Sequence, residues 1–394
     1  MAKRIPIEDS YAASLAVKMA NVDVISAYPI TPQTHIVERL SEYVSNGELN
    51  AEYINVESEH SAMSACLGAS AVGARCFTAT AGQGLALMHE VLFIAAGNRL
   101  PIVMTVANRS LSPNISIWGD QSDMMASKDC GWIQIYCEDA QEIFDIILCA
   151  YKNAEDDRVL LPVAVNFDGF YATHVIESMV VTSQEEVDDF LPPRKIPSFA
   201  LHPDHPTSWG AVGFPAIQTE IKKQLEDALR NSKSIMNEVW NQYGRITGRY
   251  YDIFEPYKTE DAEVVLLLMG SSCGTARIAI DRLREKGVKA GVLKLRLFRP
   301  FPDKELRSFL KDYRVVAVVE KDFSAGGLGG HLFSEVRTSL YNLKQKPKVL
   351  GFIAGLGGRD IRIDEFESVA KKALNIVNGK EKMERDFMFL QVRE

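Results

Sequence analysis

From residue 10 to about 180, short apolar runs of strand length exchange with longer stretches of helical length. Strands are predicted at 22–27, 53–56, 76–80, 101–106 and 161–166, with helices at 32–44, 59–72, 85–96 and 141–154 between them. Strand and helix in alternation argue for a parallel sheet covered on both faces.

The texture changes between 183 and about 257. Pro192, Pro193, Pro197, Pro203, Pro206 and Pro215 break up its start, and 217–243 then reads as one long, charged amphipathic helix that crosses a surface between domains. A second alternating series follows, with strands at 263–269, 289–295, 315–320 and 347–353 and helices at 274–286, 303–311, 330–342 and 363–377, giving a smaller open α/β domain. The expected division is a first domain at 1–190, a linker with its helix at 191–257, a second domain at 258–378 and a tail at 379–394. Phe387, Met388, Phe389 and Leu390 give that tail too much apolar surface to float, so it is expected to pack on another chain, or else on its own domain.

A chain of 394 residues, 46% apolar and 24% charged, is long enough for two or three well-buried cores. Its net charge of −8 offers no basic field for a nucleic-acid backbone or an anionic membrane surface. The longest apolar stretches, 264–269 and 315–319, are far short of the roughly 20 residues of a membrane helix, and the N-terminus has no apolar signal core. A cytoplasmic protein is expected. Cys66, Cys76, Cys130, Cys137, Cys149 and Cys273 lie far apart with no Cys-x-x-Cys pair, which fits buried thiols and excludes an iron–sulfur cluster of the usual four-cysteine spacing.

Chemistry first shows between Glu57 and Glu90. Glu57-Ser58-Glu59-His60 precedes a small-residue helix, and a strand and the glycine-rich turn Gly82-Gln83-Gly84 follow it. Ala62, Ala65, Ala69 and Gly73 allow close approach of a backbone or a planar ring, and a carboxylate at the mouth then has something to act on. Gly82-Gln83-Gly84, the 326–330 run and the 355–358 run all lack the Gly-x-Gly-x-x-Gly and Walker spacings. The two later runs are read as tight turns and helix starts at a subunit contact.

Five segments taken together are specific: Tyr28-Pro29-Ile30-Thr31-Pro32, Glu57-Ser58-Glu59-His60, Ala107-Asn108-Arg109-Ser110-Leu111-Ser112, Trp118-Gly119-Asp120-Gln121-Ser122-Asp123 and Phe298-Arg299-Pro300-Phe301-Pro302. In this order and at these spacings the chain resembles the α subunit of 2-oxoacid:ferredoxin oxidoreductases, the pyruvate:ferredoxin type most closely. The resemblance implies a thiamine diphosphate-binding, pyrimidine-type doubly wound domain followed by a smaller transketolase C-terminal-like α/β domain. It also implies oxidative decarboxylation of a 2-oxo acid to acyl-CoA and CO₂, with electrons passed to 4Fe-4S clusters on partner subunits and coenzyme A as co-substrate.

By the same resemblance Glu59 is the acid that hydrogen-bonds N1′ of the aminopyrimidine ring, Arg109 binds the substrate carboxylate, and Thr31 lies beside the keto group and the cofactor. Pro29, Ile30 and Gly82 border the cofactor, and Ser112 and Asn114 belong to the loop that closes over the substrate. Each has a plainer alternative. Glu59 is also the acid expected at any helix N-terminus, worth a few tenths of a kcal/mol, and spacing alone does not separate it from Glu57. Arg109 fits a surface salt bridge, and Thr31 a turn residue capping the next helix. His60 is read as structural.

Thiamine enzymes hold Mg²⁺ and the diphosphate with Gly-Asp-Gly and a later Asn, whereas Gly119-Asp120-Gln121 lacks the second glycine and the asparagine. No metal ligand is therefore expected here. The implied partners are a β subunit carrying the diphosphate and Mg²⁺ half-site, γ and δ ferredoxin-like subunits, and ferredoxin or another low-potential acceptor. Leu111-Ser112-Pro113-Asn114-Ile115-Ser116 stands where pyruvate-specific members commonly read Leu-Ser-Ala-Pro-Ile-Asn. That departure keeps a bulkier substrate open, a branched-chain acid or phenylglyoxylate. A non-catalytic docking subunit is the alternative of another class.

Overall fold

The computed structural model describes residues 3–393. Its larger sheet has seven strands, in the order Leu297–Arg299, Ile133–Tyr136, Val163–Asp168, Ile102–Asn108, Cys76–Thr80, Val24–Ala27 and Glu52–Asn55. Neighbours are parallel except at one edge, where Leu297–Arg299 runs antiparallel to Ile133–Tyr136. Every residue of Ile102–Asn108 is buried, as a strand covered by helices on both faces must be.

The winding of this sheet reverses beside Val24–Ala27. From that strand the chain moves outward to the edge strand Glu52–Asn55, then crosses back to Cys76–Thr80 on the other side. In open parallel sheets a ligand crevice opens at such a point, beyond the carboxyl ends of the strands.

Several elements depart from the sequence expectation. Ile133–Tyr136 was not predicted, because Gln134 interrupts its apolar run; buried, the Gln134 amide donates to Lys128 O at 3.0 Å. The helix predicted at 85–96 is two, Gly82–Leu87 and His89–Gly97, divided at Met88. Lys3–Glu8 pairs antiparallel with Ile176–Val181 as a separate ribbon. Leu297–Arg299 follows the second sheet's strand Ala290–Leu295 yet joins the first sheet.

The second sheet runs Phe387–Phe389, Lys348–Ile353, Val315–Glu320, Val264–Leu268, Ala290–Leu295 and Phe254–Tyr257, parallel throughout but for the last strand. Phe387–Phe389 pairs with Gly351 to Ile353, so of the two places expected for the tail, another chain or its own domain, these residues take the edge of their own sheet.

The long helix Gln218–Thr247 spans about 45 Å at 1.5 Å per residue. Ala228, Ser232, Ile235, Met236, Val239, Trp240 and Tyr243 form one stripe at helical spacing, and this stripe packs on Ala140–Ala154. Asp145, buried in that seam, accepts from Tyr243 OH at 2.5 Å, Tyr251 OH at 2.6 Å and Arg249 Nε at 2.6 Å. Gly248, at φ +74°, ends the helix in the left-handed conformation that glycine tolerates best.

A charged cluster ties the two units together. Glu142 accepts from Lys294 at 2.5 Å and Arg296 at 2.6 Å, and Glu138 from Lys294 at 2.8 Å and Arg277 at 2.6 Å. Burial pushes the Glu142 carboxyl up, but Arg296 and Lys294 outweigh it and hold it down at about 2. Removing one partner from such a cluster costs about 3–5 kcal/mol. Among the described residues no helix is long and apolar enough to cross a membrane. All six cysteines are buried and unpaired.

Candidate active site

Four successive carboxyl ends around the winding reversal carry the residues singled out from the sequence. Thr31 follows Val24–Ala27, Glu59 follows Glu52–Asn55, Gly82 follows Cys76–Thr80, and Arg109 follows Ile102–Asn108.

Glu59 is the first residue of the helix Glu59–Ala71, whose cap Ser58 accepts from Ser61 N at 3.2 Å. Its side chain turns inward and is buried against Gly84. A Cβ on Gly84 would lie 2.5 Å from Glu59 Oε1 and 2.6 Å from Thr80 Oγ1, so only glycine leaves this space open. Among the described residues no group donates a hydrogen bond to the Glu59 carboxylate, and Thr80 Oγ1 is buried without a partner. Glu57 points outward, with its carboxylate taken up by Ser61 Oγ. Of the small residues expected to permit close packing, Ala62 is buried, whereas Ala65 and Ala69 stay partly open and Gly73 meets Ile196.

Arg109 is buried too, and among the described residues it makes no ion pair. The surface salt bridge is not what the structure holds. Its Nη1 donates to Thr31 O at 3.0 Å and its Nε to Ser116 O at 3.0 Å, and burial lowers its pKa against the opposing pull of Asp123. Gly82, at φ +47°, lets the arginine stem pass, since a Cβ there would sit 3.0 Å from Arg109 Cδ. A guanidinium with planar donors and no carboxylate beside it has the geometry to pair with one.

Asp123, inside a quoted motif but given no role from sequence, organises this corner. Fully buried, it accepts from Gly82 N and Arg109 N at 2.9 Å each, from Asn108 Nδ2 at 2.9 Å and from Met124 N at 2.7 Å. Burial pushes its carboxyl up to about 6 in spite of these donors. Gln33 is a second residue that sequence reading missed. Its amide donates to Tyr28 O at 2.8 Å and Ala79 O at 3.3 Å, joining two strand ends. An acid in the first turn of one helix and an amide just before another were the available signals.

Thr31 is exposed and does not cap the next helix, which starts after Gln33 with no side-chain cap. Pro29 is exposed, and Ile30 rests partly buried on the core. Ser112 Oγ accepts from Gln83 Nε2 at 2.9 Å and so touches the glycine turn. Asn114 is exposed and makes no hydrogen bond among the described residues, so it is not drawn into the cluster.

The far end of this loop is fastened to the second unit. Asp120 Oδ2 accepts from Gly357 N at 2.9 Å, Asp120 Oδ1 from Ser122 Oγ at 2.6 Å, and Gln121 N donates to Lys321 O at 2.9 Å. The 355–358 glycine turn, expected at a subunit contact, packs on this chain's own Trp118 and Ser116.

These residues fit one half of thiamine diphosphate. A buried, undonated carboxylate facing the cradle at Gly84, with the Thr80 hydroxyl beside it, suits a ring nitrogen and an amino group. Gly119-Asp120-Gln121 lacks the second glycine of a diphosphate and metal holder, and both Asp120 oxygens are engaged within the chain. The fold and site therefore define a thiamine diphosphate-binding chain of the pyrimidine type.

Residues 15–241 match the family model for pyruvate flavodoxin/ferredoxin oxidoreductase, thiamine diphosphate-binding, and 262–366 match pyruvate:ferredoxin oxidoreductase core domain II. The chain belongs to the pyruvate flavodoxin/ferredoxin oxidoreductase family, as its motifs predict. It is 50% identical over 382 residues to the pyruvate synthase subunit PorA of Methanocaldococcus jannaschii, covering 96% of this chain and 95% of that one. It is 44% identical over 375 residues to the ketoisovalerate oxidoreductase subunit VorA of Pyrococcus horikoshii, covering 95% and 94%. A solved 2-oxoglutarate:ferredoxin oxidoreductase from Magnetococcus marinus has the same fold, with a TM-score of 0.73 and 21% identity over 94% of this chain, which spans 65% of that longer one.

Proposed function

We propose that this chain is the α subunit of a cytoplasmic, multi-subunit 2-oxoacid:ferredoxin oxidoreductase, that pyruvate is its preferred substrate, and that it contributes the pyrimidine and carboxylate half of the active site. The observation that carries this reading is the pairing, across the turn Gly82-Gln83-Gly84, of a buried acid and a buried guanidinium that, among the described residues, meet no donor and no carboxylate respectively. Arg109 is held by the Thr31 and Ser116 carbonyls with its charge unpaired, and Thr80 Oγ1 beside Glu59 is buried without a partner, so a ligand bearing a carboxylate and a polar ring has complementary groups to meet.

Thiamine diphosphate, when bound, supplies the carbon nucleophile and the electron sink for decarboxylation. Glu59 donates and holds the proton at N1′ of its ring. Arg109 fixes the carboxylate of the 2-oxo acid through two parallel hydrogen bonds, and the Thr31 hydroxyl, free of internal partners, faces the keto oxygen. Pro29, Ile30 and Gly82 border the ring. Ser112, held by Gln83, closes the substrate loop, with Asn114 at its exposed tip.

The missing half of the site assigns the diphosphate and Mg²⁺ to a β subunit. The scattered buried cysteines leave the 4Fe-4S clusters to γ and δ subunits, with ferredoxin as acceptor and coenzyme A taking the acyl group. A branched-chain 2-oxo acid is the second reading, favoured by the VorA relative and by Leu111-Ser112-Pro113-Asn114-Ile115-Ser116.

The test is reduction of a low-potential dye by the purified complex with pyruvate, 2-oxoisovalerate and phenylglyoxylate in turn, with and without coenzyme A. Coenzyme A-dependent turnover fastest with pyruvate is expected. Faster turnover with 2-oxoisovalerate moves the assignment to the second reading. No turnover with any of the three, and no thiamine diphosphate released on denaturation, would leave the docking-subunit reading.

A further inference from the structure

Residues 202–224 leave the body of the molecule, and all are exposed except Trp209, which is partly buried. The segment is not polar. Val212 is 72% and Phe214 64% accessible, and Ile217 and Ile221 continue the apolar row onto the free first turns of the helix Gln218–Thr247. Its shape is held from within: Phe214 O accepts from Ile217 N and Gln218 N at 3.0 Å each, and Gly213 gives room to the Gln218 side chain.

Both roots of this arm sit on one layer. Leu201, Trp209 and Leu225 pack against the cluster of Met63, Leu85, Val91 and Leu92, and Leu201 N donates to Ala71 O at 2.9 Å. That layer is made by the helices Glu59–Ala71, Gly82–Leu87 and His89–Gly97, which carry Glu59 and Gly84. Its outer side leaves Val72, Leu87, Phe93 and Ile94 exposed. Exposed apolar side chains thus stand both on the arm and on the helical layer that carries Glu59 and Gly84.

We propose that 202–221 is a clasp that grips the chain supplying the diphosphate and metal half of the site. The inference rests on the reading of that site given above. A second copy of this chain is the poorer occupant, because it lacks the same half, and pairing two copies across this layer would leave both sites unfinished. Phe214 and Ile217 are the anchors, being large, apolar and exposed.

The experiment places a photoreactive benzoylphenylalanine at Phe214 in the intact complex and identifies the cross-linked chain by mass spectrometry. A cross-link to the chain bearing the Gly-Asp-Gly motif is expected. Cross-links only to another copy of this chain, only to a cluster-bearing chain, or none at all would overturn the clasp. In parallel, Phe214→Ser with Ile217→Ser should leave the melting temperature of the isolated chain as it was and weaken its association with that partner about 30-fold. An unchanged dissociation constant also overturns it. A complex that still holds thiamine diphosphate while Phe214 cross-links elsewhere sinks the clasp alone, whereas a complex devoid of thiamine diphosphate sinks the reading of the site.

Discussion

Each of the two α/β units buries a glutamate beside a glycine whose absent side chain makes room for it, and the two glutamates have opposite fates. In the second unit Glu320, the last residue of its strand, lies against Gly330 and accepts from Leu332 N at 2.9 Å and Phe333 N at 3.3 Å, capping its own helix. Its neighbour Lys321 is paired with Asp168 at 3.1 Å. In the first unit Glu59 lies against Gly84 and, among the described residues, it has no donor and Arg109 no acid. Sheet, helix, glycine and acid recur in both places. What makes one of them a site is the polar capacity that folding leaves unused.

Swapping the same change between the units tests this. Glu59→Gln should lower turnover about 1,000-fold, as loss of a positioned acid does, and leave the melting temperature nearly unmoved. Glu320→Gln should do the reverse, because its amide oxygen can accept from only one of the Leu332 and Phe333 donors while its N–H₂ would face the other. Equal losses of turnover would break the comparison. Gly84→Ala should follow the same division: its Cβ would press on Glu59 and Thr80, lowering thiamine diphosphate retention about 100-fold in equilibrium dialysis, while Gly330→Ala should only destabilise. Next comes Arg109→Lys, which keeps the charge and loses the planar fork, so KM for the 2-oxo acid should rise about 30-fold with a smaller fall in kcat. A change confined to kcat would mean that Arg109 does not hold the substrate in the ground state.

The unequal fates also explain what the sequence could reveal. The runs at 76–80 and 101–106 were legible as strands because both their faces are buried, so nothing charged interrupts them and threonine is their one hydroxyl residue. Leu297–Arg299 and the pairing of Lys3 with Val181 were not, because each depends on a partner more than 150 residues away. The tail's Phe387 and Phe389 read plainly as residues in need of cover, but no local pattern names the strand that covers them. In the site, Glu59, Arg109, Thr31 and Gly82 were visible through motifs. Asp123 and Gln33 had no role assigned, because they act on backbone groups that only the folded sheet brings together.

Asp123 gives the smallest and most discriminating effect, because its influence on stability and its influence on the site run in opposite directions with pH. Its folded pKa of about 6 stands above the ordinary 3.8, raised first by burial. A raised value means that the folded protein holds this proton more tightly than the unfolded chain does. On this group's account stability is greatest below about 3.8, falls as pH rises from there to about 6, and is level above. The site needs the other form, since only the carboxylate can accept from Gly82 N and Arg109 N through one oxygen while the second meets Asn108 and Met124. KM for the 2-oxo acid should therefore climb several-fold as pH falls through 6, at pH values where the melting temperature is not falling on Asp123's account. Asp123→Asn should fix KM at the raised value and flatten that limb. An acid limb that survives in Asp123→Asn would assign it to another group and leave Asp123 a packing residue, with the corner at Arg109 held by the Thr31 and Ser116 carbonyls alone.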